Sequence, residues 1–459
     1  MESHAYQDKS VAVFGLGKSG MVTAERLNAG KARVSVWDDN EDRRAEASKK
    51  GLKLIDLTSG KWGATDALVL SPGVPLTHPI PHPVVGFAGE AGAAVIGDVE
   101  VFLQEKMAGK LIGITGTNGK STTSALIHHL LKSAGKEVEL GGNIGTPVMD
   151  LPQVGEDGVY VLELSSYQLD LTPSWSADIA VLLNITPDHL DRHGDMARYA
   201  AVKTRIFRRQ SEAGIAVINV DDPICAAIAA ELRSNSKARI VPISIEQPLE
   251  RGVFALDGLL NDNSSGDQPW TMDISSIPSL RGRHNWQNAA AAVAAVRSMG
   301  LTNEELKTGL ETFGGLEHRM EPLGKLGLVS FVNDSKATNA EAAEKALASF
   351  ENIFWIAGGR EKSGGITSLA QHFDRITQAF LIGEAKDNFA AALIKNVPAV
   401  LCKNLEQAVE AAAEAAKRSD KPSVVLLSPA AASFDQFTSF EARGDAFRDA
   451  VTKLLAEAR

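Results

Sequence analysis

Residues 113–122 read Gly-Ile-Thr-Gly-Thr-Asn-Gly-Lys-Ser-Thr. The apolar run Leu111-Ile112-Gly113-Ile114 precedes them as a strand, and a helical pattern follows from Ser121. A glycine-rich turn between a strand and a helix aims backbone N–H groups at one spot. The helix N-terminus adds partial positive charge there, which suits a polyphosphate. Gly116 and Gly119 let the chain approach phosphates without a Cβ in the way. Lys120 supplies a mobile positive charge, and Ser121 or Thr122 a hydroxyl for Mg²⁺. The spacing is G-x-x-G-x-x-G-K-S-T rather than the strict phosphate-loop pattern, since Ile114 stands where its first glycine belongs. A plain strand-to-helix turn with a surface lysine is the alternative. Gly-Lys-Ser-Thr at such a junction favours a nucleotide.

The pattern repeats more loosely upstream. Gly15-x-Gly17-x-x-Gly20 follows the apolar run Val11–Phe14 and opens a helical segment; Asp38 lies eighteen residues beyond Gly20, after the strand Arg33–Trp37. This spacing is the dinucleotide fingerprint. Its physical content is narrower: a helix N-terminus for a diphosphate and a carboxylate for a hydroxyl partner. Any nucleoside diphosphate can use it. The unit is short for the two βαβαβ halves of a full dinucleotide domain, which disfavours NAD. A further strand, Ala67–Leu70, runs into Ser71-Pro72-Gly73-Val74-Pro75.

Downstream of the phosphate loop, Glu163 ends the apolar run Tyr160–Leu162, where a Mg²⁺-binding carboxylate belongs in a parallel sheet. The strand Ile179–Asn184 leads into Thr186-Pro187-Asp188-His189-Leu190-Asp191-Arg192-His193. Such a crowd of polar groups is unfavourable unless they have partners or work. His189 can ligate a metal, with Asp188 holding its other ring nitrogen. The structural alternative is a helix start with Thr186 capping and Pro187 at the first position. Gly141-Gly142-Asn143-Ile144-Gly145 is a glycine-rich loop presenting the Asn143 amide. Asn285 and Asn288 sit one turn apart before an alanine-rich helix over 288–299, as caps or as adenine and ribose contacts. Lys203, within a helical stretch, reads on its own as a surface lysine.

The 459 residues allow two to four domains. A hydrophobic content of 44% and a charged content of 23% are those of a soluble globular protein. No apolar run approaches a membrane span and the polar start MESHAYQDKS lacks a signal-peptide pattern, so a cytoplasmic location is expected. Cys225 and Cys402 stand in no metal or redox spacing and are expected as buried small hydrophobes. A net charge of −10 disfavours nucleic acid but not small anions, which local clusters of cations can hold. Alternating strand and helix patterns recur in three stretches, which predicts parallel sheets with crossover helices in each. The polar stretch 257–271 reads as turns or a hairpin.

With these pieces in order, the chain resembles the Mur ligase family throughout its length. The marks are Gly116–Ser121, Glu163, the Asn184–Asp191 loop, Lys203, Gly282-Arg283-His284-Asn285, Glu317-His318-Arg319, Asn333–Asn339 and Leu427–Phe437. The resemblance implies an α/β chain of three domains. They are a Rossmann-like N-terminal domain (1–106) for the uridine-diphosphate substrate, a central ATPase domain of the P-loop type (107–315), and a Rossmann-like C-terminal domain (316–459) for an amino acid, D-glutamate. It implies ATP-dependent amide formation on UDP-N-acetylmuramoyl-L-alanine in peptidoglycan precursor synthesis, through an acyl phosphate and a tetrahedral intermediate. A monomer is expected.

Residue by residue, it implies that Gly15, Leu16, Gly17, Lys18, Ser19, Asp38, Gly73 and Asn143 bind the uridine substrate. ATP falls to Gly116, Thr117, Asn118, Gly119, Lys120, Ser121, Thr122, Asn285, Asn288, Arg319 and Asp334. Ser121, Glu163, His189 and a carbamylated Lys203 hold Mg²⁺, and D-glutamate lies among Lys336, Thr338, Lys362, Ser433 and the backbone at Phe440. Catalysis rests on Lys120, Asn143, His189 and Lys203. Two positions depart from the family pattern: Asp39-Asn40 stands where a basic residue follows the aspartate, and Glu361 precedes Lys362 where aspartate is common. Two rival classes are an NAD-dependent oxidoreductase, which leaves the Lys120 loop and the 184–191 cluster unused, and a non-catalytic nucleotide-binding regulator, which would be marked by loss of Lys120, Glu163 or His189.

Overall fold

A computed structural model describes residues 4–105, 108–264, 269–361, 364–394 and 396–457. Its strands gather into three sheets, each carrying its loops of interest at the C-terminal ends of parallel strands. The first sheet runs Arg33–Trp37, Ser10–Phe14, Ala67–Leu70, Ala94–Ile96, all parallel. Parallel strands buried on both faces read as near-continuous apolar runs, as Val11–Phe14 and Ala67–Leu70 do.

In the second sheet the neighbours are Ile179–Leu182, Lys110–Thr115, Val159–Glu163 and Val138–Gly142, in that order and parallel. Ile215–Asn219 and Arg239–Ser244 extend it beyond Ile179–Leu182. The far edge turns antiparallel through Val253–Leu256, Leu259–Asp262 and Trp270–Asp273, so the polar stretch near 257–271 is a hairpin meander.

The third sheet runs Glu321–Leu326, Val329–Asn333, Ser423–Leu427, Ile353–Gly358, Ile376–Ile382, Ala399–Leu401. Its four inner strands pair parallel, as the alternation of strand and helix patterns predicts. The edge strands Glu321–Leu326, antiparallel to its neighbour, and Ala399–Leu401 are additional.

The chain divides into two compact units. One holds the first two sheets, from the chain start to Ile277 and over Arg283–Phe313; the other holds Pro278–Gly282 and everything from Gly314. In the first unit one continuous apolar core runs from Val11, Val13 and Leu27 through Val99 and Phe102 to Leu162 and Trp175, and another gathers Phe14, Leu68 and Val84. The helix Asp98–Gln104 is the seam: Phe102 meets Tyr160 edge-on, with ring centroids 5.3 Å apart. Continuous burial of this kind removes the wet boundary that separates loosely joined domains. In the second unit two cores flank the sheet, one around Trp355, Leu347 and Phe389, the other around Phe331, Phe354 and Phe447. Cys225 and Cys402 are both buried and unpaired to each other, as expected of small hydrophobes.

Candidate functional site

The phosphate-loop helix is Lys120–Ser133, and Gly119 caps it at φ +87°. A Cβ on Gly119 would lie 2.4 Å from Asn288 Oδ1, so this position demands glycine for space as well as for backbone angle. The lysine folds over its own loop: Lys120 Nζ donates to Gly116 O at 2.9 Å and Thr117 O at 2.8 Å. The loop is fixed from the next strand. Thr117 N and Asn118 N donate to Asn184 O (2.9 Å) and Oδ1 (2.8 Å), so these two N–H groups hold Asn184. Thr186 N donates to Thr117 Oγ1 at 3.0 Å.

Asn285 and Asn288 do not cap a helix start. The helix is Arg283–Arg297, five residues longer at its front than the alanine run suggested. Both asparagines lie within it, Asn288 Nδ2 donating to Asn285 Oδ1 at 3.2 Å. Asn288 is buried and accepts from Thr123 Oγ1 at 3.2 Å, which docks this helix on the phosphate-loop helix.

The loop after Ile179–Leu182 also differs from the expected helix start at Thr186–Pro187. A short helix, Leu190–His193, begins only after His189, which sits at its N-cap in the left-handed region at φ +53°. The bonds of Thr186 to Thr117 tie that residue to the phosphate loop instead. His189 Nε2 lies 3.3 Å from Asp188 Oδ2, so Asp188 does engage a ring nitrogen of His189, and the ring lies 4.9 Å from that of Tyr167.

Lys203 is the largest departure. It is 1% exposed, the reverse of a surface lysine. Its Nζ donates to Gly116 O at 2.7 Å and lies 4.8 Å from the Tyr199 ring centroid. Burial, then the Lys120 charge, bring its pKa down to about 7. Close by in the sheet, Glu163 ends its strand fully buried. Asn143 Nδ2 donates to its Oε1 at 2.7 Å, while Oε2 has no hydrogen-bond partner. Lys120, Glu163, Asn143 and Lys203 therefore do converge on the C-terminal edge of the second sheet, with His189 on the neighbouring loop.

At the first sheet, Asp38 closes the glycine loop. Its Oδ2 accepts from Leu16 N at 2.5 Å and its Oδ1 from Asn40 N at 2.8 Å. The Gly17 N-cap opens the helix Lys18–Ala29. A Cβ on Gly20 would lie 2.0 Å from Gly15 O, which is why the third glycine of the fingerprint is needed. Ser19 hydrogen-bonds the buried Asp98 carboxyl. Lys18, Ser19, Gly73, Asn143, Ser165 and Tyr167 line one cleft of about 460 Å³, within the range of ligand sites. Near Asp38 stands an arginine to which the sequence alone gives no task. Arg44 donates to Asp38 O at 2.8 Å and stacks 4.7 Å from the Trp37 ring centroid. Its signal was a helical position one turn beyond Asn40, the N-cap of Glu41–Lys49.

In the second unit, Asp334 follows Val329–Asn333. Ser428 Oγ donates to its Oδ2 at 2.8 Å and Met320 N to its Oδ1 at 3.3 Å. Burial pushes its carboxyl up to about 7 against the opposing pull of Ser428, Met320 N and the nearby Arg319 charge. Lys336 Nζ lies 3.9 Å from the Phe440 ring centroid, and Phe440 O accepts from Ser335 Oγ at 2.8 Å. Thr338 N donates to Lys336 O at 2.8 Å. Ser433 is buried, and its carbonyl accepts from Gln436 N and Phe437 N. A residue the sequence reading missed bridges these segments: the buried Arg443 donates to Ser335 Oγ at 3.0 Å and Ala431 O at 3.1 Å. Lys362 lies outside the described residues.

Residues 114–296 match the Mur ligase middle domain, and residues 318–431 the Mur ligase glutamate ligase domain. A protein of Caulobacter sp. (strain K31) named UDP-N-acetylmuramoylalanine–D-glutamate ligase is 51% identical over 456 residues, 98% of this chain and 97% of that protein. The chain belongs to the Mur ligase family. A relative of the same name from Rhizobium meliloti (strain 1021) is 49% identical over 96% of both chains. Among solved Mur ligases, the UDP-N-acetylmuramate-alanine ligase MurC of Thermotoga maritima superposes over 98% of this chain and 100% of its own, with a TM-score of 0.57 at 17% identity. That likeness carries the three-domain α/β fold.

Among the described residues no three or more His, Cys, Asp and Glu gather into a metal cage, and no helix is long and apolar enough to cross a membrane. Mg²⁺ needs no such cage. It keeps water and phosphate oxygens and takes one or two protein groups. The unpartnered Glu163 Oε2, and Lys203 with its pKa brought down to about 7, fit a cation held by a carboxylate and a carbamate.

Proposed function

We propose that this chain is an ATP-dependent ligase that adds D-glutamate to UDP-N-acetylmuramoyl-L-alanine in the cytoplasmic synthesis of peptidoglycan precursors, acting as a monomer. The observation that carries the reading is the convergence of Lys120, Glu163, Asn143 and Lys203 at one sheet edge, in a chain half identical to ligases of that name over nearly its whole length. Residues 1–106 hold the uridine substrate, 107–315 hold ATP and 316–459 hold D-glutamate.

The substrate's L-alanyl carboxylate attacks the γ-phosphorus of ATP, the bond to the ADP oxygen breaks, and an acyl phosphate forms. The amine of D-glutamate then attacks that carbonyl carbon and loses a proton. The tetrahedral intermediate expels phosphate and leaves the amide. Such chemistry depends on positioning and charge neutralisation. Lys120 swings from its loop carbonyls to the β- and γ-phosphates. Asn143, held by Glu163, orients the muramoyl group, and His189, steadied by Asp188, holds the reacting carboxylate. Gly116–Thr122, Asn285, Asn288, Arg319 and Asp334 place ATP. Lys336, Thr338, Lys362, Ser433 and the Phe440 backbone place the two carboxylates of D-glutamate.

Ser121, Glu163, His189 and carbamylated Lys203 would hold Mg²⁺, which when bound neutralises phosphate charge. An amine with a pKa near 7 is substantially unprotonated at neutral pH and can add CO₂ to form the carbamate. The test is incorporation of labelled D-glutamate into a uridine-containing product. ATP-dependent incorporation is expected; its absence with all three substrates present overturns the reading.

A further inference from the structure

The loop after Ala67–Leu70 and the loop carrying His189 are bolted together by residues to which neither the sequence nor the function assigned a task. Arg192 reaches across 118–120 residues of sequence: Nη1 donates to Gly73 O at 2.9 Å, and Nη2 to Val74 O at 2.9 Å and Pro72 O at 3.3 Å. Its guanidinium lies 4.7 Å from the ring centroid of Tyr167, a residue lining the cleft. Tyr167 is held in turn by the His193 ring, stacked at 5.5 Å, and His193 Nε2 lies 2.9 Å from Ser166 Oγ. A second arginine repeats the tie farther along, where Arg198 Nη1 lies 3.1 Å from His78 Nε2. Arg198 belongs to the helix Met196–Thr204, whose last turn carries Lys203.

One stretch of chain thus has His189 at its front and Lys203 at its back, and it is pinned at two points to the loop Pro72–His78. We propose that Arg192 is a positioning residue, a strut that sets the Gly73 loop at a fixed distance from His189, so that holding the uridine diphosphate at that loop places the far carboxylate of the same substrate at the reacting end. The proposal rests on the assignment of Gly73 to the uridine substrate. A planar fork that satisfies three carbonyls and stacks on a ring has no equivalent in lysine, whose ammonium is a compact point charge. A single substrate spans both loops, so error in their spacing falls first on its binding. ATP and D-glutamate do not bridge that gap.

The experiment measures KM for each of the three substrates in the wild-type chain, Arg192→Met, Arg192→Lys and Gly73→Val; a Cβ at Gly73 meets nothing within 4 Å, so the added side chain starts from open space. Both arginine variants are expected to raise KM for UDP-N-acetylmuramoyl-L-alanine about tenfold or more, with KM for ATP and for D-glutamate within about twofold of wild type. A uniform rise in all three KM values marks general loosening and overturns the strut. An unchanged uridine-substrate KM in Arg192→Lys and Arg192→Met, beside a raised one in Gly73→Val, overturns the strut and leaves the loop assignment standing. If Gly73→Val is also unchanged, or the wild-type chain forms no product, the assignment falls and the strut with it. Should Arg192→Met fail to fold, Arg192→Lys, which keeps the charge over Tyr167, decides the matter alone.

Discussion

Lys203 Nζ donates to the carbonyl oxygen of Gly116 at 2.7 Å, joining a helix end to the first turn of the phosphate loop. The lysine is fully buried and within range of the Lys120 charge, two cations sharing one loop. That crowding is unfavourable unless one of them is neutral or converted to an anion. Here the structure and the proposed chemistry meet, since an anionic Lys203 carbamate would relieve the repulsion and leave Lys120 to the phosphates.

Removing the Lys120 charge by Lys120→Ala should lower kcat/KM by about 10²–10³, the scale of losing one preorganised donor in a phosphoryl or acyl transfer site. Steady-state phosphate release checks this, and near-normal turnover would remove Lys120 from the mechanism.

Glu163 Oε2 is buried and unpartnered while Oε1 holds Asn143. Mg²⁺ with ATP should raise the melting temperature of the wild-type chain, by the linkage that yields about 2.7 kcal/mol at a hundredfold excess over Kd. In Glu163→Gln the Mg²⁺-dependent part of that rise should vanish, and without metal the variant should melt no lower than wild type, because the amide keeps an oxygen to accept from Asn143 and takes a charge out of a buried site. Calorimetry with and without EDTA separates the two effects.

Asp334 has its carboxyl pushed from 3.8 up to about 7 by burial. Between those values the folded state binds more protons than the unfolded one, so this group's contribution to stability falls as pH rises and is fully lost above about 7. Asp334→Asn removes the titration. Its stability relative to wild type should therefore climb between pH 4 and 7, by at most about 1.4 kcal/mol per pH unit, and level off above. Urea denaturation across that range is the measurement; a flat difference would refute the assignment.

Gly119 packs against Asn288 with no room for a methyl group, at a backbone angle that glycine favours. Gly119→Ala should destabilise by roughly 1–3 kcal/mol. Adding Asn288→Ala relieves the steric part and leaves the backbone part, so the pair should be less destabilising than the sum of its members.

Periodicity and punctuation made much of the fold legible. Val11–Phe14 and Ala67–Leu70 are readable as apolar runs between turn residues because parallel strands are buried on both faces. Short edge strands such as Ala399–Leu401, three residues long and largely exposed, carry no such signal. The phosphate loop announced itself through local spacing, whereas Lys203 did not: a lysine in a helix has the same sequence signature buried or exposed, and only contact with Gly116 distinguishes them. Thr186 and Pro187 misled for a related reason. They have the chemistry of a helix start, but the Thr117 hydroxyl, brought close by the sheet, competes for the Thr186 backbone. Arg192 and Arg443 both act through carbonyls more than a hundred residues away, and carbonyl acceptors leave no residue-type trace.

The central claim is most directly tested by phosphate release from ATP with Mg²⁺ and UDP-N-acetylmuramoyl-L-alanine, comparing D-glutamate with L-glutamate, L-lysine and meso-diaminopimelate as acceptors. Release that requires D-glutamate, with the matching amide found by mass, is the predicted result. Release that requires a different amino acid, or none with any acceptor, would contradict it.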